Sequence, residues 1–165
     1  MSGLKPSPEL ALIEESIQNA NARVRLFRLA FGGASHGQSM SRNDILKLVS
    51  DCYSAGRTTV RWEPSTELSR VEAKLALLGI LCLETTLPVG GRIHINDDRG
   101  QWQMQAYGEK IRFLPDAWSH LSGRDTEVAE AAQVQFILLH QALEALGSAA
   151  QIGHSDSAVS LRYDL

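Results

Sequence analysis

Over residues 7–31 the apolar positions Ile13, Ile17, Ala20, Val24, Phe27 and Phe31 recur at alternating spacings of four and three. That is the narrow seam of a helix in a bundle or coiled coil, not the broad stripe of a helix lying on a sheet. Ser7 as N-cap with Pro8 at N1 and Glu9 behind it signals the start, and Gly32-Gly33 the stop. At 1.5 Å per residue the helix runs about 37 Å, longer than the small domain after it would cover. The seam therefore calls for another helix, and the chain supplies no evident partner upstream or downstream.

A Gly- and Ser-rich loop at 34–40 leads to a second helix opened by Ser41, with Asp44 completing a capping-box pattern and Met40 and Ile45 a hydrophobic staple. Ile45, Leu48, Val49 and Cys52 continue its apolar face to a stop at Gly56. Residues 58–62 alternate as a strand and 64–67 form a connection. Ser69 and Glu72 offer another capping pair for a helix over 70–86 that is apolar nearly all round, hence central and buried. Residues 92–96 and 101–107 read as strands, the second with Trp102, Met104 and Ala106 inward, joined by a turn at 97–100. A helical turn at 115–121 and a polar loop at 122–126 precede a long helix over 127–146. Its buried side is Val128, Ala132, Phe136, Leu139, Leu143 and Leu146, with Gly147 at C′. Short strands near 151–152 and over 158–163 close the chain. Hairpins with intervening helices and no regular βαβ repeat predict an α+β fold, a two-layer sandwich. The division falls into a helical arm, 1–33, and a sandwich, 41–165.

Composition narrows the classes. With 44% hydrophobic and 21% charged residues the chain is globular, and a net charge of −3 with no basic, aromatic-rich run argues against nucleic acid. The longest uncharged apolar run, 75–83, is too short to span a membrane. Nothing at the N-terminus reads as a signal peptide, so the cytoplasm is the expectation. Cys52 and Cys82 lie on apolar helix faces and read as small buried hydrophobes.

The run Glu9-Leu10-Ala11-Leu12-Ile13-Glu14-Glu15-Ser16, and then Asn21-Ala22-Arg23-Val24-Arg25-Leu26-Phe27-Arg28-Leu29-Ala30-Phe31-Gly32, resembles the second hairpin helix of the ChpT-type bacterial histidine phosphotransferases. Glu72 to Leu78 and Leu87-Pro88-Val89-Gly90-Gly91 match the same family, and the similarity spans essentially the whole chain. The resemblance implies a two-helix hairpin that dimerises into a four-helix bundle. Behind it would stand a degenerate kinase-type (GHKL or Bergerat-like) ATP-binding sandwich. It also implies relay of phosphate from the receiver domain of a hybrid kinase to response regulators, through one histidine on the first hairpin helix. No histidine here matches that phosphoacceptor, which is expected upstream of Met1. A start codon placed too late, a missing first segment and a truly headless protein all remain open on sequence.

Within the resemblance, Cys82 stands where a magnesium-holding Asn would be expected, and a thiol is a poor ligand for that cation. The adenine-receiving Asp and paired glycines are replaced by Ala106-Tyr107-Gly108-Glu109-Lys110. The Gly-rich phosphate cradle is replaced by residues 127–132. The expectation is no cofactor, no metal and no ATP turnover. His36 lies in a loop, whereas a relay histidine needs a rigid helix; a surface histidine is the plainer reading. His94 should face away from the core, His120 and His140 lie on helices, and His154 is in a turn. No metal-ligand spacing or nucleophilic triad emerges. Arg23, Arg25 and Arg28 cluster on the half of the first helix that the resemblance sets beside the phosphoacceptor, where they could contact an acidic receiver. A solvated cationic helix end is the alternative. Two functions compete: a homodimeric phosphotransferase between receiver domains, and a non-catalytic receiver-docking or dimerisation module.

Overall fold

The computed structural model describes residues 7–34, 37–123 and 130–165. In chain order the elements are α1 (Pro8–Phe31), β1 (Ser39–Met40), α2 (Arg42–Tyr53), β2 (Thr58–Trp62), β3 (Leu68–Ser69) and α3 (Arg70–Glu84). They continue with β4 (Gly91–Asp98), β5 (Gln101–Tyr107), α4 (Pro115–Ser119), α5 (Val134–Ala145), β6 (Gln151–His154) and β7 (Ala158–Asp164). Short 3-10 turns at His120–Ser122 and Ala131–Gln133 follow α4 and precede α5.

Five strands form one sheet in the order β2-β4-β5-β7-β6. All neighbours are antiparallel except β2 and β4, which run parallel with α3 as their crossover, a single βαβ unit. Strand alternation gives the sheet two unlike faces. Ile93, Ile95, Trp102, Met104, Ala106, Val159, Leu161 and Tyr163 point into the core, while Asn96, Gln103 and Arg162 lie exposed on the other face. All the helices therefore belong on one side, which makes the predicted two-layer sandwich. The β4–β5 hairpin closes through Arg99 and Gly100, both with positive φ (54° and 89°), and the Asp97 carboxylate accepts the Gly100 N–H at 2.9 Å.

The helix α3 sits at the centre. Its start is a reciprocal cap: the Ser69 hydroxyl accepts the Glu72 N–H at 3.1 Å, and the Glu72 carboxylate accepts the Ser69 N–H at 2.8 Å. Ten of its fifteen residues are buried. It meets the sheet at Gly79, where a Cβ would come within 2.5 Å of Met104 Sδ and 3.3 Å of a Leu161 methyl. The C-terminal half of α1 shares this core through Ala22, Leu26 and Ala30.

Several expectations change. The loop and the connection predicted at 34–40 and 64–67 are bordered by a two-residue ribbon, β1 antiparallel to β3, with Ser39 bonded to Glu67. The strand predicted at 92–96 extends to Asp98. The long helix predicted over 127–146 is shorter: Glu130 is extended (φ −66°, ψ 149°), a 3-10 turn intervenes, and α5 begins at Val134. Phe136, Leu139 and Leu143 are buried as predicted, but Ala132 and Leu146 are exposed. Val128 lies outside the described residues, as does His36. Among the described residues no helix is long and apolar enough to cross a membrane.

Candidate functional site

The candidate site is α1 itself, which presents three distinct sides. On the inward side Ala22, Leu26 and Ala30 are at most 3% exposed, and the two alanines let α2 and α3 approach closely. Polar groups fasten this contact at both ends. The Asn19 amide donates to the carbonyls of Asp51 (3.4 Å) and Cys52 (3.3 Å), which belong to the unpaired last turn of α2. Lys74 Nζ donates to the Gly32 carbonyl at 2.7 Å, a cation at the negative end of α1.

Arg23 points to the same side. Its guanidinium donates to Tyr53 Oη at 3.0 Å and to the Glu84 carboxylate at 3.3 Å, and Tyr53 Oη donates to Glu84 at 2.9 Å. The guanidinium also lies over the rings of Phe27 and Tyr53, 5.2 and 5.5 Å from their centroids. Burial, and then the adjacent Glu84 charge, push the Tyr53 hydroxyl well above its ordinary pKa. Burial opposes the charge on Arg23, but Tyr53 and Glu84 outweigh it and hold its pKa above the usual value. This triad links α1, α2 and α3.

The outward side is the seam. Ile13, Ile17 and Val24 are 55%, 56% and 49% exposed, and Phe27 and Phe31 stack on each other with centroids 5.6 Å apart. Phe27 and Phe31 are partly covered from within the chain: Arg23 lies over Phe27, and both rings border a cavity shared with Leu81, Thr85 and Gln135. The third side faces the start of α2, where Arg25, Arg28 and Leu29 border a groove of about 360 Å³. Arg25 and Lys47 share the Asp51 carboxylate at 3.6 and 2.8 Å.

The three arginines singled out in the sequence are thus not brought together: Arg23 is engaged inside the chain, and Arg25 and Arg28 flank the groove. Sequence reading missed Tyr53, Glu84 and Lys47. The available signal was Glu84, a lone carboxylate closing an apolar helix. Of the histidines, His94 Nε2 lies 3.0 Å from the Glu63 carboxylate and half-exposed on the polar sheet face. Hydrogen bonding from His94 lowers the Glu63 pKa. His120 is nearly buried beside Gln133, His140 approaches Glu144 at 4.0 Å, and His154 stacks on Phe113. Among the described residues no three His, Cys, Asp or Glu side chains converge as a metal site.

The sequence profile described as the histidine phosphotransferase C-terminal domain matches residues 42–158. The chain belongs to the histidine phosphotransferase family. Among solved structures, a bacterial phosphotransferase superposes with a TM-score of 0.77 at 22% identity, over 94% of this chain and 78% of that one. The histidine kinase AdeS of Acinetobacter baumannii gives 0.51 at 10% identity, over 98% and 86%. The kinase domain of the blue-light activated histidine kinase EL346 of Erythrobacter litoralis gives 0.52 at 11%, over 98% and 88%. No curated protein matches. At these identities the superpositions speak for fold alone, and the fold of this chain is a long helix followed by an α/β sandwich of the kind found in histidine kinases. Family membership places it in phosphorelay signalling. In the sandwich Cys82, at the position expected for a magnesium-holding Asn, is wholly buried, and desolvation pushes its thiol well above the usual range.

Proposed function

We propose that this chain belongs to a homodimeric, cytoplasmic histidine phosphotransferase that carries phosphoryl groups from the receiver domain of a hybrid kinase to response regulators. Its phosphoacceptor histidine would sit on a helix that pairs with the exposed seam of α1. The observation that carries the reading is that seam. Ile13, Ile17 and Val24 form an apolar line on the side of α1 turned away from its own core, and Phe27 and Phe31, partly turned toward α3 and α5, continue it. Such a line suits a bundle built from two hairpins.

The chemistry is a reversible exchange. An imidazole nitrogen attacks the phosphorus of an aspartyl phosphate, the P–N bond forms as the P–O bond breaks, and the free carboxylate leaves. A second receiver aspartate then reverses the step. Positioning carries such transfer, and the receiver supplies the magnesium. The sandwich would serve as a rigid support that turns over no nucleotide, in keeping with a thiol buried at the expected metal-ligand position.

The test is phosphotransfer from a phosphorylated receiver domain to this chain and to a form extended upstream by a helix bearing His-Asp or His-Glu. Label on the extended form alone is the expected result. Label on the present chain would overturn the assignment of the phosphoacceptor, with His36 the first residue to mutate. Receiver binding without label on either form would favour a docking module.

A further inference from the structure

The groove between the C-terminal half of α1 and the first turns of α2 lies on the opposite flank of α1 from Arg23. Its floor is apolar, made of Leu29, Met40 and the 2% exposed Leu48, and its rim carries Arg25, Arg28 and Lys47. Asp44 is the one carboxylate among the residues that line it. Arg25 and Lys47 share a single counter-charge in Asp51, and Arg28 makes no ion pair among the described residues. A local excess of cations on a chain of net charge −3 marks the groove as complementary to an acidic partner.

We propose that this groove is a docking surface separate from the seam, which takes an amphipathic helix of a partner protein with acidic residues along its flanks. A phosphate or nucleotide site would need a floor of polar donors; this floor is two leucines and an adaptable methionine. The valley between two packed helices accepts a third, whose apolar residues at i, i+3 and i+4 reach the floor while carboxylates meet the rim. At about 360 Å³ the groove holds two or three anchoring side chains. The surface works by binding alone and does not require the chain to carry phosphate.

The experiment is selection from a displayed library of 16-residue peptides on the whole chain, with counter-selection on Arg28→Glu/Lys47→Gln. The expected winners combine acidic residues with apolar residues at helical spacing. In fluorescence anisotropy they lose at least tenfold affinity for the double variant, weaken with added salt, and bind Ile13→Ser/Ile17→Ser unchanged. Both altered side chains are exposed, so thermal melting should match the parent. If it does not, Arg28→Ala/Lys47→Ala replaces the pair, with a loss of at least threefold expected. Winners that are neutral or basic, that bind the double variant as well as the parent, or that depend on the seam residues overturn the proposal, as does a selection yielding none.

Discussion

Leu26→Ala tests whether α1 is truly part of the sandwich core. Leu26 is fully buried where three helices converge, and its neighbours along the same face, Ala22 and Ala30, are too small to fill the space it would leave. Buried Leu→Ala changes cost about 2–5 kcal/mol, more where the site cannot collapse. We expect about 3–4 kcal/mol here, from the middle to the upper part of that range. For a chain of this size that lowers Tm by roughly 6–16 °C, at about 2–4 °C per kcal/mol. The comparison is Val24→Ala, two residues away on the half-exposed seam, expected to cost under about 1 kcal/mol. Urea denaturation followed by tryptophan fluorescence reads the sandwich, because Trp62, Trp102 and Trp118 are all buried there; far-UV circular dichroism reads the helices. Dilute protein keeps self-association out of the comparison. Equal shifts for the two variants, or a loss under 1 kcal/mol for Leu26→Ala, would refute the docking of α1. A loss of helical signal with an unmoved tryptophan transition would do the same.

Three further predictions follow from other regions. Ile13→Ser/Ile17→Ser, both more than half exposed, should abolish concentration-dependent self-association in light scattering while changing chain stability by no more than about 0.5 kcal/mol per site; an unchanged mass would count against the seam as a self-association surface. Gly90→Ala should cost more than about 2 kcal/mol in denaturation, because φ there is +91° and the new Cβ would sit 2.4 Å from the Arg57 carbonyl oxygen; a neutral effect would mean the loop bends freely. Stability should also fall in alkali. The folded state raises the pKa values of the Tyr53, Tyr163 and Cys82 groups, chiefly through burial, so their stabilisation is intact below the unfolded values near pH 8.5–10 and is lost as pH rises beyond them. Denaturation midpoints constant from pH 8 to 11 would contradict this.

What the sequence revealed and concealed has physical causes. Elements bounded by local chemistry were legible: the Ser7-Pro8 start of α1, the Ser69–Glu72 cap of α3 and the β4–β5 hairpin each rest on residues a few positions apart. The second face of α1 was hidden because two of its three buried residues are alanines, which add little to any hydrophobic pattern yet permit close helix approach. The start of α5 was misplaced because residues 130–133 hold no Gly or Pro to break the pattern, although Glu130 is extended and Ala131–Gln133 form a 3-10 turn. The β1–β3 ribbon has two residues per strand, below any periodicity. At the candidate site the seam was readable, whereas the Arg23–Tyr53–Glu84 triad was not, since its members lie 30 to 61 residues apart.

The strand order sets a timetable for assembly. β4 and β5 are joined by two residues, so this hairpin can close as soon as it is synthesised, but the other edge of β5 pairs only with β7. Fifty residues separate the end of β5 from the start of β7. Until β7 emerges, β5 keeps an open edge and Trp102, Met104 and Ala106 lack part of their cover. A nascent chain therefore carries an unpaired, half-apolar strand through much of its synthesis, which is a standing invitation to pair with a neighbouring chain on the same message. Late non-local pairing also slows refolding relative to a helical protein of equal length. The sequence spacing that lets one strand from each hairpin meet at the middle of the sheet thus makes the newborn chain dependent on dilution or chaperones until β7 arrives.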